Sequence, residues 1–115
     1  MIDIGAFRET LALYRKHGWE LARLLSAGDP SSELLAMIGD VPAHEWTLDA
    51  AWFTRVSKPG TTTWELRYLG ASPVALVSVV ADGADLEQEL AFQQENLLEM
   101  MSKKRVSDIP QNGTS

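Results

Sequence analysis

Between Trp46 and Val80 the chain runs through three short apolar stretches separated by turn chemistry, and this pattern constrains the fold most. In the first, Trp46, Leu48, Ala50 and Trp52 alternate with Thr47, Asp49, Ala51 and Phe53, the period of a strand. In the second, Trp64, Leu66 and Tyr68 alternate with Thr63, Glu65 and Arg67. The third, Val74 to Val80, is valine-rich and apolar at both alternating sets, which reads as a strand buried on two sides. Lys58-Pro59-Gly60-Thr61 suits a type II turn, with proline and glycine in the middle, and Gly70 to Pro73 supplies a second turn. The three runs together predict an antiparallel meander.

Register follows from which residues must share a face. A three-residue loop, Lys58 to Gly60, sets Trp52 opposite Leu66 and Ala50 opposite Tyr68, gathering the large apolar side chains on one side. A two-residue loop slips the pairing by one and sends half of them to the other face. The odd loop is therefore expected.

Helices flank the meander. From Asp3 to about Ala27, the residues Ile4, Phe7, Leu11, Tyr14, Leu21 and Leu25 recur by threes and fours, with Gly18 in the remaining place. Arg15, Lys16 and His17 before Gly18 are helix-end chemistry, yet the stripe continues in phase. One continuous helix is expected, with Gly18 costing about 1 kcal/mol relative to alanine. A short second helix follows, capped by Asp29 with Pro30 in its first turn, and Gly39 ends it. Asp85 with Gln88 three residues on predicts the start of a long helix. Its stripe is Leu86, Leu90, Leu97 and Met101, and the cations Lys103, Lys104 and Arg105 complement the negative end of its dipole near Lys104. The reading is α+β: two N-terminal helices, a three-stranded meander and a long C-terminal helix on one sheet face. It forms a single domain over residues 1–105, with a mobile tail over 106–115.

Composition narrows the chemistry. The 115 residues include no cysteine, so neither a disulfide nor a thiolate nucleophile is available. A net charge of −6 opposes binding to nucleic-acid phosphates. No apolar run approaches a membrane span, and MIDIGAFRET has no signal-peptide pattern, so a soluble cytoplasmic protein is expected.

His44-Glu45 is the most chemical-looking pair. Neighbours on a strand diverge to opposite faces, and the second histidine of a zinc-protease motif is missing. His44 is therefore expected at a strand entrance without catalytic partners, and neither a catalytic residue, a metal nor a cofactor is assigned. Trp46, Trp52, Trp64 and Tyr68 form an aromatic wall, which is core under a helix or, with His44, the lining of a ligand or enzyme site. The third strand ends the meander and lacks the lysine or bulge that guards open edges. Ala75, Val77 and Val79, with Phe53, are accordingly expected to meet a partner, most simply in a homodimer.

The order of a helix, a meander and a long helix in a small acidic chain is similar to that of small dimeric secretion chaperones. That likeness of element order implies a protein-binding module. The residues themselves point to a non-enzymatic binding or assembly module.

Overall fold

The computed structural model describes residues 2–108, with side chains through residue 103. Helix α1 (Ile4–Lys16) begins where the Asp3 carboxylate accepts the Ala6 N–H at 3.0 Å. It ends at Lys16, and here the expected continuous helix fails. Gly18 has φ +86°, and the Trp19 and Gly18 N–H groups donate to the carbonyls of Tyr14 and Arg15 at 2.9 and 3.1 Å. This is a Schellman stop, which a left-handed glycine makes possible. The apolar contact that accompanies the motif is present too, with the Tyr14 and Trp19 rings edge-on at 6.1 Å.

The chain beyond Gly18 is a strand, β1 (Glu20–Ser26). Helix α2 (Ser32–Ile38) starts at Ser31, not Asp29, because the Ser31 hydroxyl accepts the Leu34 N–H at 3.1 Å. Gly39 closes it with φ +62°. A three-residue strand, β2 (Ala43–Glu45), then pairs parallel to β1. Strand β3 (Ala50–Lys58) starts four residues later than the alternation suggested, with Trp46 and Leu48 in the preceding loop. Strands β4 (Thr61–Tyr68) and β5 (Ala75–Ala81) complete a five-stranded mixed sheet in the order β2-β1-β3-β4-β5. The expected meander is thus only the β3-β4-β5 part of a larger sheet. Strands β1 and β2 interrupt the helix–meander–helix order on which the likeness to secretion chaperones rested.

Pairing of β3 with β4 sets Trp52 opposite Leu66 and Ala50 opposite Tyr68, but the loop is not the expected one. Lys58 pairs with Thr61, leaving Pro59 and Gly60 alone in the turn, and a bulge between Arg55 and Lys58 absorbs the extra residue. A bulge shifts pairing by one without moving the residues beyond it to the other face. Face assignment is therefore kept while loop length changes.

The sheet has two apolar faces. On one, α1 and α2 gather Phe7, Leu11, Tyr14, Leu34 and Ile38 onto Leu24, Ala51 and Phe53. On the other, α3 (Leu86–Asp108) sets Leu90 and Leu97 onto Leu25, Ala50, Trp52 and Leu66. The Asp85 carboxylate accepts the Gln88 N–H at 3.2 Å at the start of α3. This helix continues through Asp108, past the expected tail boundary at 106, and residues 109–115 of that tail lie outside the described part. No helix among the described residues is long and apolar enough to cross a membrane.

Candidate functional site

The aromatic wall lies beneath α3. Trp52 is fully buried, and the half-buried Trp64 meets it edge-on at 5.9 Å. Trp46 and Tyr68 are also half-buried and pack on the same cluster. The Trp52 indole N–H donates to Oε1 of Gln94 at 3.0 Å. Gln94 fills the vacant place in the helical stripe Leu86, Leu90, Leu97, Met101, because a buried donor needs an acceptor there. Tyr68 folds back over Gly70: a Cβ at residue 70 would collide with the phenol ring and hydroxyl. Helix α3 packs over this face, with Leu90 and Leu97 on Trp52 and Leu66.

His44 sits exposed on β2, opposite Leu25 of β1. Nearby, Arg23 lies 5.8 Å from the Trp64 ring centre and makes two bonds to Glu87, at 3.0 and 2.5 Å. Hydrogen bonding from Arg23 is the main reason the Glu87 carboxyl titrates below its ordinary range, with a smaller contribution from His44. This corner ties the start of α3 to β1. Glu45, also exposed, follows His44 along the strand and points away from it. Among the described residues there is no group of three or more histidine and carboxylate side chains that could hold a metal ion.

The chemistry that sequence reasoning missed lies on the opposite face. Helix α1 covers β1 and β3 but stops short of β5, so the strand expected to be buried on two sides is covered on one. Val77 and Val79 are 54% and 65% exposed, and Ala75 is exposed beside them. Phe53 does not belong to that surface: it is 1% exposed and stacked under Tyr14 with ring centres 3.9 Å apart. Its place as an expected interface residue is corrected by where α1 lies.

Between the end of α1 and β4 runs a cleft of about 370 Å³, lined by Leu13, Tyr14, His17, Trp19, Arg55, Glu65 and Arg67. The Tyr14 hydroxyl donates to Glu65, and the Arg67 guanidinium lies against the same hydroxyl. Burial first, then the bond to Glu65, pushes the Tyr14 phenol up to about 12. Arg55 lies 5.5 Å from the Trp19 ring centre and donates to the His17 carbonyl at 3.3 Å. Neither Arg55 nor Arg67 forms an ion pair with a carboxylate among the described residues. The alternation of Thr63, Glu65 and Arg67 marked these side chains as outward-facing; what it could not mark was the helix wall beside them.

The site is therefore a ledge: α1 as one wall, Arg55, Glu65 and Arg67 at its foot, and the bare Val77 and Val79 beside it on β5, paired with Glu65 and Thr63. Such a surface can bind a complementary surface. No protein-family model matches the chain, and neither a curated protein nor a solved structure matches it significantly.

Proposed function

We propose that the chain is a non-enzymatic binding and assembly module that works as a homodimer, the second copy covering β5 and its valine face. The observation that carries this reading is the exposure of Val77 and Val79 on the terminal strand of the sheet. The strand itself, ALVSVVA, contains no charged residue and no proline. Open edges of this kind are aggregation templates unless something blunts or covers them. Intramolecular cover is spent elsewhere: α1 and α2 lie over the β1–β3 side, and α3 lies on the opposite face. A contiguous apolar patch on a monomer marks an interaction surface.

Sedimentation velocity at micromolar concentration tests the proposal. The expected result is a dimer that Val77→Lys converts to a folded monomer. A wild-type monomer, with Val77→Lys equally soluble and equally stable, would overturn it.

A further inference from the structure

We infer that two copies join edge to edge through β5, antiparallel, about a two-fold axis that passes through Ser78 perpendicular to the sheet. Two five-stranded sheets then become one. This rests on the dimer reading above and specifies how the strand is paired.

The direction of the backbone groups carries the inference. On the inner side of β5, the Tyr68 N–H donates to the Val74 carbonyl at 2.9 Å and the Asp82 N–H to the Gly60 carbonyl at 2.8 Å. Pairing between β4 and β5 is unshifted over its whole length. Val74, Leu76, Ser78, Val80 and Asp82 therefore turn their N–H and C=O groups toward β4. Alternation in an antiparallel ladder aims those of Ala75, Val77, Val79 and Ala81 outward. All four residues are exposed, on the last strand of the sheet. Among the described residues, the one hydrogen bond to these outward groups runs from the Ala84 N–H to the Ala81 carbonyl at 3.1 Å. A carbonyl has a second lone pair to share. Helix α3 leaves this edge open, since its Glu87 and Gln94 reach inward to Arg23 of β1 and Trp52 of β3.

The side chains fit the strand's own reversal. Read in either direction, ALVSVVA has alanine at its ends, then leucine or valine, then valine, with serine at the centre. An axis at Ser78 is the register that pairs all of β5 with its copy. Ala75 faces Ala81 and Val77 faces Val79, each twice, in hydrogen-bonded pairs that supply about eight bonds. Each valine gains a valine neighbour across the join, and no charge lies in the strand to repel its copy. Parallel pairing uses none of this reversal symmetry and gives the weaker ladder. The contact is isologous and closes on itself. At the other edge of the sheet, β2 is three residues long and carries His44 and Glu45, too short and too polar to extend the assembly.

Full-length variants test the ladder. Val79→Pro removes an outward N–H and sets the ring where the second strand lies, but takes no bond from β4, so the fold tolerates it as an edge proline. It is expected to sediment as a monomer where wild type is a dimer, with circular dichroism confirming the fold. Ser78→Cys, in a chain without cysteine, puts two thiols on the axis. Facing Cα atoms there are about 4.5 Å apart, within disulfide range, and a covalent dimer is expected on oxidation. Val77→Cys, whose copies stand two residues out of register, should remain unlinked. Should Val79→Pro fail to fold, the cysteine variants decide. A wild-type dimer that Val77→Lys dissociates, but with Val79→Pro folded and still dimeric or Ser78→Cys unlinked, would overturn the ladder alone. Preferential linking of Val77→Cys would overturn the axis at Ser78. A wild-type monomer would overturn this inference together with the dimer itself.

Discussion

The indole N–H of Trp52, on the central strand β3, is held by Oε1 of Gln94 on α3 at 3.0 Å. This one bond explains why a helix with an otherwise leucine-rich buried stripe carries an amide at its middle. Leucine at that position would add apolar surface but strand a buried donor.

Gln94→Leu is therefore expected to destabilise the fold by about 1–3 kcal/mol, the range for leaving a buried polar group unpaired. Trp52→Ala should cost more, about 3–5 kcal/mol, because it opens a cavity beneath Leu90 and Leu97. Urea unfolding of both variants measures the two effects. In the combined variant the losses should fall short of additivity, since the donor is gone with the ring. Full additivity would mean that the Gln94 bond contributes nothing.

Gly18 offers a prediction whose sign separates two structures. In a continuous helix, Gly18→Ala would stabilise by about 1 kcal/mol and raise helix content. With φ at +86°, alanine is instead forced into the left-handed region, at a cost of about 1–2 kcal/mol. Destabilisation with unchanged far-UV circular dichroism is the expected outcome.

This glycine also shows where sequence reading reached its limit. The Arg15-Lys16-His17-Gly18 stop signal was visible, but Leu21 and Leu25 fall in phase with the α1 stripe. They do so by coincidence: on β1, Leu21 pairs with Phe53 and Leu25 with Ala50, across a register shift that places them on opposite sheet faces. Strand β2 is three residues long, too short to display a period. The pairing of Trp52 with Leu66 was legible because only one register gathers the large apolar residues. The bulge that accompanies it was not, since Val56 and Ser57 carry no local mark of one. For the ledge, alternation identified Val77 and Val79 as sharing a face with Phe53. Only the tertiary placement of α1 decides that Phe53 is hidden while the valines are bare.

His44→Ala should change stability by less than about 0.5 kcal/mol, as exposed substitutions do. His44 is exposed, and its influence on Glu87 is the smallest of those acting there. Equilibrium unfolding near pH 7 checks this. A larger loss would give the opening of β2 a structural role that its exposure does not suggest.

Tyr14 makes stability fall at high pH in a defined window. An unfolded tyrosine loses its proton near pH 10.0, whereas burial and the bond to Glu65 hold the native phenol protonated to about 12. Between these values the native state binds more protons than the unfolded state, so stability declines as pH rises. The contribution is fully present below pH 10 and is lost as pH approaches 12. Tyr14→Phe removes the titration while keeping the stack on Phe53. Unfolding free energies for both proteins from pH 9 to 11.5 isolate the effect, because the other titrating groups are common to both. The advantage of wild type over Tyr14→Phe should shrink steadily above pH 10. An advantage that stays constant across the range would show that the hydroxyl ionises as freely in the native state as in the unfolded chain, and so is not held by Glu65.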